Sequence, residues 1–503
     1  MTAADPTPTT FRGEIKVAST IIDYLSSGLY ETPAACLKEL VNNAYDADAR
    51  QVKIFVKPDA DSIVIQDDGT GMTAVEFRTH FERVSESHKR DLSDVTAMGR
   101  PIIGKIGIGF VAANEICEQL EVVSTKLGTP ELLRVLIDFE RMRSPATSRL
   151  RDGTDVAKAD YEGSVEPTDP DAHYTWLFLS GIRGDSRRIL ASANRRDRAS
   201  GMTSLYGRSP ASVAEVLGDS GLADWGQLDA YSESFVHVGL NVPVRYLPGW
   251  MPDPWTSLVR PLERRVAKLA FEVEVDGAQL FKPTFFREPE SSVCERFEFK
   301  GKHVSARGYF YAQRRGLKPR NLQGLLLRVR QTAVGEYDPG FWGFPSDEAP
   351  LFQSWASGEI WADDGLEDAV NIDRRTLRVV HPAYEELRDY IHEFLHDFFK
   401  RVRRELHADP AEARRQDSAV DEVRRVLELA RQRESGVSPA TRRLMQSVWR
   451  LPEGADDPQR VRRILRRFTV SELYEIALEV ARETLSEEDA DLFIRALTHR
   501  LGG

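Results

Sequence analysis

Residues 32–48 constrain this chain more than any other stretch. Thr32 is a favoured helix N-cap and Pro33 suits the first helical position, so a helix should start here. Leu37, Leu40, Val41 and Ala44 recur at helical spacing and define the face to be buried. Glu39, Asn43 and Asp46 fall at i, i+4 and i+7 and form one polar stripe beside it. Read alone, a row of carboxylate, carboxamide and carboxylate is a solvated helix face. The segments that follow give it another meaning.

Residues 52–56 and 63–66 read as short strands, and the second runs directly into Asp67-Asp68-Gly69-Thr70-Gly71-Met72. Gly69 and Gly71 allow positive φ and a close approach of backbone to a ligand. Asp67, held at a strand end, can accept a hydrogen bond from an exocyclic amine such as that of adenine. By itself this motif is an ordinary turn. Residues 73–103 are polar and mixed, and include Ser87 and Lys89. Then comes Gly104-Lys105-Ile106-Gly107-Ile108-Gly109-Phe110, followed by helical spacing to residue 118. Backbone N–H groups of such a loop, with the dipole of the helix behind it, form a phosphate-binding nest. A dinucleotide fold needs this loop after the first strand of a βαβ unit; here it follows a long polar segment, which disfavours that fold.

The rest of the chain supplies a coarse layout. The spacing of Ile15, Ala18, Ile21, Ile22 and Leu25 predicts a helix over 11–29. Residues 120–124, 132–139 and 174–179 read as strands, and 143–171, rich in Asp, Pro, Gly and Ser, as a surface insertion. The Arg-rich run 183–198 reads as a solvated helix face ahead of a phosphate-binding patch. Strand-like runs at 269–275, 304–311 and 325–329 predict a second α+β domain. Beyond residue 382 the pattern turns helical, with a capping box at Thr469-Val470-Ser471-Glu472. The expected class is α+β, with domains at 1–185, 186–385 and 386–503.

With 503 residues, 41% hydrophobic and 29% charged, the chain has a soluble globular composition sufficient for two or three domains. No apolar run approaches the roughly 20 residues of a bilayer span, and residues 1–10 lack a signal-peptide core, so a cytoplasmic protein without membrane contact is expected. A formal charge of -11 does not favour nucleic acid as a partner. Cys36, Cys117 and Cys294 lie too far apart for a disulfide framework or a metal-ligand spacing.

The order of motifs is the informative feature: acidic-amide helix, Asp-x-Gly-x-Gly, a polar stretch, then Gly-x-x-Gly-x-Gly before a helix. Over about residues 11–180 this resembles the ATP-binding module of the GHKL superfamily of gyrases, heat-shock chaperones, histidine kinases and mismatch-repair proteins. The resemblance implies a Bergerat-type α/β sandwich that holds ATP and Mg²⁺ beneath a lid at 73–103. Glu39 then matches the general base, Asn43 the Mg²⁺ ligand and Asp67 the adenine-binding carboxylate. Gly69, Gly71, Met72, Gly104, Gly107 and Gly109 match the glycine boxes, and Asp46, Lys105, Ile108, Phe110 and Thr175 are further nucleotide-side candidates. Mg²⁺ favours oxygen ligands, and a carboxylate one helical turn from Asn43 can reach a water in line with the γ-phosphate.

Within the superfamily, Phe11-Arg-Gly-Glu-Ile15 and residues 37–47 look most like the ninety-kilodalton heat-shock chaperone. Residues 325–335 resemble that family's middle-domain core strand, and 358–377 its catalytic loop. Arg374 then matches the arginine that reaches the γ-phosphate, with Arg375 as the alternative. The implied activity is Mg-dependent ATP hydrolysis driving a molecular clamp on a protein client or partner, with an ATP-dependent homodimer meeting through residues 1–20. The region after 382 shows no match to the chaperone's dimerisation domain, so full chaperone function is not implied. Two alternatives stand: a nucleic-acid-associated or antiviral-defence ATPase using the Arg clusters at 187–198 and 460–467, and an ATP-sensing scaffold with little hydrolysis.

Overall fold

The computed structural model describes residues 9–18, 32–56, 60–81, 83–84, 94–104, 112–140, 142, 148–149, 155–194, 202–218, 222–253, 255–286, 291–345, 353–371, 374–407, 472, 475–478 and 481. The chain forms two compact units, Met1–Val402 and Arg403–Gly503, and every described site residue lies in the first. The fold is α+β.

Among the described residues, the first unit is built on two sheets. The larger contains β1 (Thr9–Ala18), β2 (Gln51–Val56), β3 (Ser62–Asp67), β4 (Arg83–Val84), β5 (Gln119–Thr125), β6 (Glu131–Asp138), β7 (Ser148–Arg149), β8 (Asp155–Pro167), β9 (Tyr174–Ser180), β10 (Glu272–Val275) and β11 (Ala278–Gln279). Its order is β11-β10-β2-β3-β9-β5-β6-β8-β1-β4, with β7 beside β8. The smaller contains β12 (Ser292–Lys300), β13 (Ser305–Gln313), β14 (Gly324–Val329), β15 (Thr332–Asp338) and β16 (Ala356–Ala362), in the order β12-β13-β16-β14-β15.

Period-two patterning builds the face of the large sheet that carries the site. Val52, Ile54 and Val56 of β2, and Ile63, Ile65 and Asp67 of β3, all point inward. Helix α1 (Pro33–Asp46) lies on that face. Its Cys36, Leu37, Leu40, Val41, Ala44 and Tyr45 share one core with Ile54, Ile65, Leu120 and Val122. Burial of each large aliphatic side chain contributes about 1.5–3 kcal/mol, enough to fix which face of α1 turns outward. A second helix, α2 (Ala230–Asn241), packs against α1. Helix α3 (Pro382–Val402) buries Leu387, Ile391, Leu395 and Phe398 in the unit's second half. Cys36, Cys117 and Cys294 are free and buried.

Two expectations are corrected. Residues 9–18 form a strand, not the start of a helix over 11–29. Phe11, Gly13 and Ile15 alternate with Arg12 and Glu14, and β1 pairs along its whole length with β8. The helical spacing depended on residues 19–29, which lie outside the described residues. The expected surface insertion at 143–171 instead contains β8, an inner strand between β1 and β6. Ala159 and Tyr161 face the core while Lys158, Asp160 and Glu162 take the other face, so half of the strand reads as loop composition. Glycines let rings cross this seam: a Cβ on Gly13 would lie 2.4 Å from Tyr161, and one on Gly163 would lie 2.3 Å from Phe11.

Strands β10 and β11 come from far along the chain yet complete the large sheet. Glu272–Val275 run parallel to residues 51–54, and Asp276 accepts hydrogen bonds from the Val56 amide at 2.9 Å and the Tyr231 hydroxyl at 2.5 Å.

Candidate functional site

Helix α1 starts where the Thr32 hydroxyl accepts a hydrogen bond from the Ala35 amide at 3.3 Å. With its apolar face buried, Glu39, Asn43 and Asp46 stand half-buried along one edge. Glu39 is 17% exposed and pairs with the neighbouring Lys38 at 3.2 Å. About 6 Å of helix rise separates Glu39 from Asn43.

The last turn of α1 gathers both glycine motifs. The Asp46 carboxylate accepts from the Ile103 amide at 2.8 Å and from the Gly104 amide at 2.7 Å, one on each oxygen. The Ala47 carbonyl accepts from the Thr70 amide at 2.8 Å. Asp48 accepts from the Met98 amide at 3.1 Å. Asp46, a nucleotide-side candidate in the sequence, here holds the base of the second glycine loop. The glycines of the first motif answer to the protein's own packing. A Cβ on Gly69 would sit 2.8 Å from the Ala47 carbonyl oxygen; Gly71, at φ +67°, would put one 1.9 Å from that of Thr125.

Sheet register then brings a second group of polar side chains together. Asp67 of β3 lies opposite Thr175 of β9, and Thr175 lies opposite Ser124 of β5. The Ser124 and Thr175 hydroxyls are 3.0 Å apart, and Ser124 also accepts from the Met72 amide at 3.0 Å. Asp67 is buried and accepts from the Gly69 amide at 2.9 Å. Burial pushes its carboxyl up to about 7, against the lowering effect of that amide. His173 donates from Nδ1 to the Gly69 carbonyl at 2.9 Å. Sequence reading missed Ser124 and His173, because the strand register that brings them here leaves no local signal.

The second half of the unit reaches the same loop. Arg374, at φ +49°, donates to the Ile103 carbonyl at 3.2 Å, to Glu367 at 3.1 Å and to the Thr332 hydroxyl at 3.2 Å. Arg375 is exposed, and with Arg374, Lys38, His237 and Glu336 it lines a cavity of about 460 Å³. Thus Glu39, Asn43, Asp46, Asp67, Gly69, Gly71, Met72, Gly104, Thr175 and Arg374 all have described positions. Lys105, Gly107, Ile108, Gly109, Phe110, Ser87 and Lys89 lie outside the described residues, as do 85–93 of the expected lid. Arg187 and Arg188 are exposed on the helix Gly184–Leu190, while 460–467 lie outside the described residues.

The donor set suits an adenine nucleotide. Asp67 offers a buried acceptor, Thr175 and Ser124 offer hydroxyls beside it, and α1 offers an amide and a carboxylate one turn apart. No group of three or more His, Cys, Asp or Glu among the described residues is placed to hold a metal ion. A divalent cation here would take the Asn43 carbonyl and oxygens of the nucleotide itself.

Residues 30–175 match the family described as histidine kinase-, DNA gyrase B-, and HSP90-like ATPase. The chain carries a GHKL ATPase domain. Its relatives differ in their named tasks. The putative type II restriction enzyme HgiDII of Herpetosiphon aurantiacus is 38% identical over 117 residues, 23% of this chain and 19% of that protein. The chaperone protein HtpG of Methylobacterium sp. (strain 4-46) is 30% identical over 174 residues, 29% of this chain and 28% of that protein. The DNA mismatch repair protein MutL of Azorhizobium caulinodans is 30% identical over 144 residues, 28% of this chain and 22% of that protein. The similarity therefore spans less than a third of each relative's own length. No helix among the described residues is long and apolar enough to cross a membrane.

Proposed function

We propose that the GHKL ATPase domain binds and hydrolyses Mg-ATP and that the cycle switches the chain between open and closed states on a protein client or partner. One observation carries this reading: the last turn of α1 holds the Asp-x-Gly-x-Gly turn and the base of the second glycine loop together, beside a buried Asp67. Asp67 accepts the exocyclic amine of the base, with Thr175 beside it. Asn43 lends its carbonyl to the cation. Glu39 takes a proton from the attacking water as the new P–O bond forms and the bond to the leaving diphosphate breaks. Arg374, or Arg375 next to it, supplies positive charge to the transferred phosphoryl group. Arg374 is engaged by Glu367 and Ile103, so delivery of its guanidinium to a phosphate needs that pairing to open. The ATPase module spans 1–185 and the second domain 186–385 in this scheme. It works in the cytoplasm, and two copies pair when ATP is bound.

The test separates binding from turnover. Asp67→Asn is expected to abolish ATP binding in calorimetry. Glu39→Ala is expected to bind ATP normally and to lose about 10²–10⁴-fold in hydrolysis rate. Normal hydrolysis by Glu39→Ala overturns the general-base assignment. A second reading, a nucleic-acid-associated or defence ATPase, is favoured by the similarity to HgiDII and MutL. Retention on duplex DNA that falls steeply with salt would select it over a protein clamp.

A further inference from the structure

Residues 329–332 join β14 to β15 by a two-residue hairpin whose central residues, Arg330 and Gln331, both have positive φ (+51° and +75°). Turns of this shape favour Asn-Gly, because side chains are disfavoured in the left-handed region. Here two long side chains occupy it. Local strain of this kind persists where the surroundings hold it, and it often marks a functional position.

The hairpin aims Arg330 out of the second sheet and into the ATPase domain. Its side chain is 2% exposed. One terminal nitrogen donates to the Ile102 carbonyl at 2.7 Å, and the other donates to Asp94 at 2.8 Å. Its Nε lies 2.9 Å from Asp364 and 3.7 Å from Glu367. Glu367 in turn pairs with Arg374, which holds the Ile103 carbonyl. The short run 102–104 is therefore gripped from two sides. The Ile102 and Ile103 carbonyls are held by two arginines of the second half, and the Ile103 and Gly104 amides by Asp46 of α1. The Ile102 amide closes back on the Asp94 carbonyl at 3.0 Å, so Asp94 and Ile102 are tied backbone to backbone.

We propose that Arg330 is a positioning residue: through Ile102 and Asp94 it sets the conformation of residues 94–104, and so couples the second sheet to the base of the glycine loop. Arg330 touches no reacting atom. It transmits to the nucleotide site whatever displaces the β14–β15 hairpin, and in the reverse direction it reports movement of the loop to that sheet. Coupling of this kind is reciprocal by linkage. The inference rests on the nucleotide-switch reading for its consequence, not for its geometry.

The experiment uses the full chain and two readouts. Hydrogen exchange is measured without nucleotide on wild type, Arg330→Ala, Arg330→Lys and Asp94→Asn. Amides of 98–104 are expected to exchange at least tenfold faster in Arg330→Ala, and less so in Asp94→Asn, with Arg330→Lys between it and wild type. Amides of β13 and β16 should be unchanged. ATP turnover is the second readout: Arg330→Ala is expected to raise KM for ATP more than it lowers kcat, and Arg330→Lys to recover part of the loss. Unchanged exchange at 98–104 in a folded Arg330→Ala protein overturns the proposal. If that variant does not fold, Asp94→Asn decides, since its side chain is 74% exposed and tolerates the change; no increase in exchange overturns the proposal. The exchange result stands whether or not the wild-type protein hydrolyses ATP, so failure of the ATPase reading is seen separately.

Discussion

Asp67 shows how one buried carboxyl makes stability depend on pH. Burial raises its carboxyl to about 7, so the folded protein keeps a proton that the unfolded chain releases near 4. The folded state binds more protons across that window. Stability therefore falls as pH rises from about 4 to about 7, by at most about 1.4 kcal/mol for each pH increment of one, and then levels off. Asp67→Asn should remove this slope and make the protein more stable than wild type at neutral pH while it loses nucleotide; urea melts at pH 5 and pH 7.5 check it. A base amine that donates to Asp67 favours the ionised form. Binding of an adenine nucleotide at pH 6 should accordingly release protons, seen as a dependence of calorimetric heat on buffer ionisation enthalpy. Asp67 could be placed at a strand end from the sequence because a strand, an acid and two glycines are contiguous. Ser124 and His173 could not, since each is an unremarkable strand-end residue until sheet register brings it to Thr175 or Gly69.

At the scale of elements, α1 was legible from cap to last turn because its apolar spacing, Thr32 and Pro33 agree. β1 and β8 were not. Each carries charges on its second face, and in β1 two apolar residues also fit a helical spacing. The period that won is the one that lets Gly13 and Gly163 receive rings across the pair. Gly71 is an element-level constraint too. With φ at +67° and no room for a methyl beside Thr125, Gly71→Ala should cost well over about 1 kcal/mol in a denaturant melt. A second such constraint joins β14 to β16. Arg328 and Glu359 are fully buried and 2.5 Å apart. Burial alone would raise the Glu359 carboxyl, but the guanidinium outweighs it and holds the acid below its ordinary value. Tyr246, Tyr337 and Thr284 hydrogen-bond to the same carboxylate. Glu359→Gln leaves a buried cation without its counter-charge and should destabilise by about 3–5 kcal/mol.

For the whole molecule, the completion of the larger sheet by strands from the chain's second half is the feature the sequence could not reveal. Strand character near 272–275 was visible, but its parallel partner lies more than two hundred residues earlier, and no local pattern encodes that pairing. A fragment ending at residue 185 would lose β10 and uncover the backbone edge of β2. It should self-associate with concentration in light scattering, whereas nucleotide-free 1–402 should not. If the chain opens as proposed, the bonds between β10 and β2 give it a margin to turn about. From β10 to β1 the sheet spans seven inter-strand steps, about 34 Å at about 4.8 Å each. A twist of about 10° around the stitched margin would thus sweep the distant border by about 6 Å, a lever arm that converts slight angular play into displacement on the scale of a helical turn.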